Sequence, residues 1–225
     1  MIRPNCRIQF TGSDIDFIKS VICGDQSSSE HLNTLMTDPE SLDVILDDKR
    51  LLMEVLDRPD YLKISPRLYF YILVRYVLKN SGIDDTNLTD YIAELLTEYA
   101  RSDRSKRPIS NDGQPVNYFT DVLAAMEKAD DRMRFFIQLF VGNYSLFLAG
   151  VFPNYLRHRT QYRAAPRLEY YERLGSSNYR SASKHSLAKK YDLADILLHL
   201  SECFHRVRLA LNDLSGRLVF IETAG

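Results

Sequence analysis

Apolar residues recur at intervals of three and four along most of the chain, and no alternating apolar–polar run of strand length interrupts them. This pattern predicts an all-α fold: a multi-helix bundle of about nine or ten helices. Ser13 with Asp16 three residues later predicts a capping box that opens a helix ending near Gly24. Ser27–Ser29 opens the next, through Leu32, Leu35 and Met36, and Asp38-Pro39 restarts the chain with proline in the first helical turn. Leu42, Ile45, Leu46, Leu51, Leu52, Val55 and Leu56 carry one apolar face on to Arg58-Pro59. Ser65-Pro66 pairs an N-cap with a first-turn proline, and the helix it opens ends at Ser81-Gly82. Asp84–Asn87 offers caps for a helix striped by Leu88, Ile92, Leu95, Leu96 and Tyr99.

Residues 102–115 are polar, with two prolines and one glycine, and predict a long loop or linker. They divide an N-terminal helical part, 1–101, from a C-terminal part, 116–225, of one compact molecule. The C-terminal part reads as a helix over 116–129, an apolar helix over 130–152 and a break at Pro153. A short basic helix over 155–164 follows, ended by Pro166. Two further helices, 168–174 and 176–190, join at Gly175, and a long last helix runs through Leu193, Leu200, Val207 and Leu214. Two stretches, 66–78 and 135–152, are apolar on nearly every face and are the expected centre of the bundle.

The second of these is about the shortest length that spans a bilayer. Gln138, Asn143 and Ser145 lie inside it, arginines flank both ends, and a core helix is the expected identity. The N-terminus has no apolar signal segment, so the expected location is the cytoplasm, with no membrane partner. Apolar residues make up 45% and charged residues 26%, the balance of a globular chain rather than a disordered one. Three scattered cysteines, Cys6, Cys23 and Cys203, fit neither a disulfide framework nor a zinc knuckle, and free thiols are expected.

Charge is distributed unevenly under a net of −1. Residues 1–152 hold 17 Lys and Arg against 23 Asp and Glu, whereas residues 153–225 hold 12 against 7. Arg157, Arg159, Arg163, Arg167, Arg173, Arg180, Lys189 and Lys190 interleave with Tyr155, Tyr162, Tyr170, Tyr171, Tyr179 and Tyr191. Basic groups among aromatics can follow a phosphate backbone and stack on bases, so nucleic-acid binding is one reading of the segment 155–190. The plainer reading is a solvated face, or one that pairs with acidic surface of the same chain or of a second copy.

Catalytic motifs are absent. There is no glycine-rich phosphate loop, no nucleophile elbow, and no metal-ligand spacing beyond His199 and Cys203, which read as boundary and core residues of the last helix. No cofactor, metal or catalytic residue is assigned. Arg75 is the unusual position: Ile72, Leu73 and Val74 precede it and Tyr76, Val77 and Leu78 follow it. A guanidinium there must pair inside the fold with a carboxylate, a helix-end carbonyl or an anion, and its partner must come from another helix. A small-ligand site built from Arg75 and Tyr71, with Gln138, Asn143 and Tyr144 of the other apolar helix, is the corresponding sensory reading.

The string from Gly142 to Pro153, GNYSLFLAGVFP, with YYERLG at 170–175 and Tyr179, resembles a family of bacterial helical proteins of similar length. No activity, ligand or fold attaches to that family, so the resemblance implies only a bacterial setting. The sequence therefore leads to a non-enzymatic helical interaction or regulatory protein, a homo-oligomer or binder of a protein partner. The Arg75 ligand site and nucleic-acid binding are the alternatives.

Overall fold

The computed structural model describes residues 1–23, 26–57, 63–100, 122, 126–163 and 166–222, with side chains except at 26–31, 163 and 217–222. Every regular element among them is helical. A 3-10 turn, Arg7–Gln9, precedes α1 (Gly12–Ile22), α2 (Gln26–Thr37), α3 (Pro39–Leu46), α4 (Lys49–Asp57), α5 (Pro66–Asn80) and α6 (Thr86–Ala100). There follow α7 (Asp131–Val151), α8 (Pro153–Arg163), α9 (Leu168–Ser183), α10 (Ser186–Lys190) and α11 (Ala194–Glu222). The expected loop 102–115 and most of the expected helix 116–129 lie outside the described residues. The chain divides into two compact units, Pro4–Thr97 and Glu98–Gly225, the latter taking in Met1–Arg3. Each of the two apolar helices lies in its own unit, α5 in the first and α7 in the second.

In the first unit α5 starts at the Ser65 cap, whose hydroxyl accepts from the Leu68 amide, with Pro66 in the first turn. It ends at Ser81, and Gly82 turns the chain at φ +72°, where a side chain would be strained. Leu68, Tyr71, Leu73, Val74 and Leu78 of this helix are buried, as are Ile18, Leu51, Val55, Leu88, Ile92 and Leu95 of the helices before and after it. The first helix departs from its expected start. Thr11 and Asp14, not Ser13 and Asp16, form the capping box, with the Thr11 amide donating to Asp14 at 2.7 Å. Both pairs have the same spacing. Asp14 wins because it is fully buried and its other oxygen takes the Ser65 amide at 2.6 Å, tying the start of α1 to the cap of α5. The single apolar face expected from 42 to 58 is carried by two helices, broken at Asp47-Asp48.

The second unit rests on α7, α9 and α11, which approach where their side chains are smallest. A Cβ on Gly142 would stand 2.7 Å from the Tyr179 ring, and one on Gly150 2.9 Å from Leu211. One on Gly175 would stand 2.4 Å from the Phe204 ring and 3.0 Å from Ser145. The expected break at Gly175 is thus absent: α9 runs through it to Ser183, because this glycine serves helix contact rather than chain reversal. The break falls instead at Lys184-His185, where the His185 ring caps α10 by accepting from the Leu187 amide.

Polar groups buried in this unit are used to tie helices together. Tyr179 donates its hydroxyl to Asn143 Oδ1 at 2.8 Å, linking α9 to α7. Asn212 of α11 donates to the carbonyls of Ala149 at 2.8 Å and Gly150 at 2.6 Å, near the end of α7, where helix carbonyls run out of intrahelical donors. Arg208 holds Asn212 at 2.7 Å and pairs with Glu172 of α9, which also meets His205 at 2.9 Å.

Candidate functional site

The described arginines of the first unit are partnered by carboxylates. Arg75 is 5% exposed; its Nε and Nη2 reach the Asp47 carboxylate at 2.8 and 2.9 Å, and Nη2 stands 2.6 Å from Asp84. Lys79 adds a second cation to Asp47 at 2.8 Å. Burial acts to raise the Asp47 carboxyl, but hydrogen bonds and charge from Arg75 and Lys79 outweigh it and hold it below the usual carboxylate range. Arg7 donates from Nε to Asp90 at 2.9 Å, pairs with Asp43, and lies over the Tyr71 ring, 5.8 Å from its centroid. Arg67 makes a two-point pair with Glu94 at 2.7 and 2.9 Å. Arg75 thus has carboxylate partners, from the end of α3 and the loop before α6, and these two already neutralise it, although its Nη1 is buried with no hydrogen-bond partner among the described residues. A further anion would meet no net positive field there.

The expected ligand residues fall into the two units. Arg75 and Tyr71 belong to the first, where Tyr71 is wholly buried and its hydroxyl has no hydrogen-bond partner among the described residues. Asn143, Gln138 and Tyr144 belong to the second. Asn143 serves the tie to Tyr179, Gln138 is half-buried, and Tyr144 stacks on Phe140 at 5.6 Å and on Tyr99 at 6.4 Å. A groove of about 950 Å³ lies elsewhere in the first unit, between α1 and α4, lined by Phe17, Val21, Lys49, Arg50, Met53 and Lys63 among others.

The expected nucleic-acid residues occupy three helices and the stretch between them. Arg157 and Arg159 are on α8, Arg167 precedes α9, Arg173 and Arg180 are on α9, and Lys189 and Lys190 end α10. All but Arg159 are exposed. Of Arg163, only its place at the end of α8 is described. Arg173, Ser177, Arg180 and Lys184 form one exposed stripe along α9, with Glu169 at its start and Glu202 within 3.8 Å of Arg180.

Among these, α8 and its neighbour on α9 stand apart. Leu156 is the only fully buried residue described on α8, while Tyr155 and Tyr162 are 52% and 66% exposed. Tyr155, Arg159 and Tyr162 follow at steps of four and three and so share one face. The Arg159 guanidinium lies over the Tyr155 ring, 5.6 Å from its centroid, and its Nε is buried with no hydrogen-bond partner among the described residues. The Tyr171 hydroxyl of α9 is raised by burial, and the Arg159 charge opposes this, with Tyr144, Tyr170 and Tyr155 also acting on it. One half-buried cation therefore lies over Tyr155 and acts on Tyr171, which packs in one cluster with Leu156 of α8. Thr160 ties down the end of α8 by reaching the carbonyls of Leu156 and Pro166, each at 3.0 Å.

Sequence reasoning placed Arg159 in a run of basic residues without distinguishing it. One signal was present: no Asp or Glu occurs from Arg132 to Leu168, so nothing local can neutralise it. Among the described residues no group of three His, Cys, Asp or Glu side chains converges as a metal site would require. No protein-family model, curated protein or solved structure matches the chain.

Proposed function

We propose that the protein acts by binding rather than by catalysis, as a self-associating helical interaction protein whose docking element is α8. The observation that carries this is the surface of α8, which gives the fold little more than Leu156 and turns Tyr155, Arg157, His158 and Tyr162 outward. Arginine and tyrosine dominate the energetics of protein interfaces because each offers large contact area with a polar end.

The occupant proposed is a second copy of the chain. Residues 4–97 hold 9 Lys and Arg against 16 Asp and Glu, whereas the remainder holds 20 against 14. The charge changes sign at the boundary between the units. On α3 the exposed Glu40 and Val44 lie one turn apart, and Asp38 and Leu35 are exposed close by in sequence. This acidic and apolar surface matches the chemistry of α8. Contact between unlike surfaces is heterologous and builds rings or open chains.

Sedimentation velocity tests it. The chain should exceed its 26.1 kDa monomer mass at low ionic strength and return to it in salt. Arg157→Glu and Glu40→Arg should each abolish association. Their mixture should associate again, since each acidic contact position then meets a basic one on the other variant. A monomer at every salt concentration overturns the reading.

Nucleic-acid binding is the second reading, favoured by the exposed cations on α9 and by the acid-free run from Arg132 to Leu168. It predicts oligonucleotide binding at low salt that falls steeply as salt rises, because bound counterions are released. Glu169 and Glu202 on or beside the α9 stripe place it second.

A further inference from the structure

We infer that Arg159, between Tyr155 on α8 and Tyr171 on α9, is the centre of a binding site for a phosphoryl group. Four other buried or largely buried guanidinium groups, Arg7, Arg67, Arg75 and Arg208, each face a carboxylate. Arg159 has no carboxylate within salt-bridge distance among the described residues; its guanidinium lies over the Tyr155 ring instead, and its charge acts on the Tyr171 hydroxyl. A half-buried cation is costly to leave without a counter-charge, so this arrangement is completed by an anion from outside.

The chemistry of the lining selects the anion. A guanidinium offers a planar fork of donors, which fits two oxygens of a phosphate or a carboxylate. The Tyr171 hydroxyl, kept protonated by burial, is an additional donor, and a phosphoryl group has more acceptor oxygens to use it than a carboxylate has. Tyr155 is 52% exposed, with its ring against the guanidinium, so the site opens to solvent beside an aromatic surface. A phosphate carried on a nucleotide would set its base there, whereas free phosphate would not need it.

The site shares α8 and Tyr155 with the proposed docking surface, and Glu40→Arg keeps the two apart. That variant removes the proposed docking contact and leaves α8 unchanged. Titration calorimetry on the full chain at low salt, with inorganic phosphate, adenosine monophosphate and acetate, is the experiment. Glu40→Arg should bind phosphate at least as tightly as wild type, in which association covers α8, with acetate much weaker. Arg159→Lys, which keeps the charge but loses the fork, should weaken phosphate by about tenfold. Arg159→Gln should abolish binding. Should Arg159→Gln fail to fold, Tyr171→Phe removes one donor and should still weaken phosphate while leaving the circular dichroism spectrum intact. Adenosine monophosphate binding at least about tenfold tighter than phosphate identifies a nucleotide as the source, and equal binding identifies the free phosphoryl group. No binding of either phosphate probe, equal binding of acetate, or binding unchanged in Arg159→Gln and Tyr171→Phe would overturn the proposal.

Discussion

Arg75 shows how an isolated charge in an apolar helix is accommodated. Its carboxylate partners are not equally enclosed: the side chain of Asp47 is 22% exposed and that of Asp84 68%. Asp47 also keeps Lys79 when Arg75 is removed. Arg75→Met should therefore cost about 1–3 kcal/mol, less than the ~3–5 kcal/mol of a fully orphaned buried charge. Urea denaturation of the two proteins gives the difference. The pair also has a definite pH signature. The folded carboxyl of Asp47 is held below its unfolded value, so its contribution is present above the unfolded value and is lost as pH falls through the folded one. The stability advantage of wild type over Asp47→Asn should accordingly vanish on acidification; an advantage that persists at low pH would contradict the assignment. Asp90 has the opposite sense, since burial raises it despite Arg7, which is why the comparison is made against a variant and not on wild type alone.

The cysteines differ by the same local logic. Cys6 and Cys203 are buried and Cys23 is half-buried, and all three are free thiols. Burial, reinforced by Asp90 and Glu94, pushes the Cys6 thiol above its ordinary range. In the native protein a thiol reagent should modify Cys23 first, with Cys6 and Cys203 reacting only on unfolding. Native-state labelling read by mass spectrometry checks the order. Rapid modification of Cys6 would show that the chain before α1 opens away from the start of α5 more readily than its burial implies.

At the level of elements, glycine decides how closely helices approach. Alanine is the better helix former by roughly 1 kcal/mol, so Gly175→Ala favours α9 locally. Its methyl group would nevertheless meet the buried Phe204 ring at 2.4 Å. Overpacking of this kind costs about 1–3 kcal/mol, so the variant should be destabilised. Phe204→Leu in the same chain should recover part of the loss by withdrawing the ring. A thermal double-mutant cycle measures the coupling, and strict additivity would mean the two residues do not meet. Gly175 and the pair Ser13–Asp16 show why local signals mislead at this scale. A glycine signals a break only if nothing packs on it, and a capping box can sit in either of two registers until the rest of the fold claims one carboxylate.

For the whole molecule, α7 is the only helix among the described residues long and apolar enough to cross a membrane, and 61% of that stretch is buried. Its small face is filled by Tyr179, Leu211 and the Gly175 turn of α9, and a helix so covered has little surface left for lipid. The expressed protein should therefore be recovered without detergent. Fractionation of lysed cells checks this, and recovery only in detergent would mean that lipid, not α9 and α11, covers α7.

Much of the fold was legible in the chain because helix periodicity, Ser-Pro and Asp-Pro starts and glycine ends are local properties. The start of α5 at Ser65-Pro66, the end at Ser81-Gly82, and the cap of α7 at Asp130 follow from residues within one turn of each boundary. The sequence also determined that Arg75 needs a partner from another helix, because every neighbour on its own helix is apolar or basic. It could not say that the partners are Asp47 and Asp84, which lie 28 residues before it and nine after it. Arg159 shows the same division. Its basic, tyrosine-rich segment was visible in the sequence, but several arginines shared it on equal terms. Only the packing of α8 against α9 singles one out, because burial and the lack of a counter-charge among the described residues are properties of the surroundings in space and not of position along the chain.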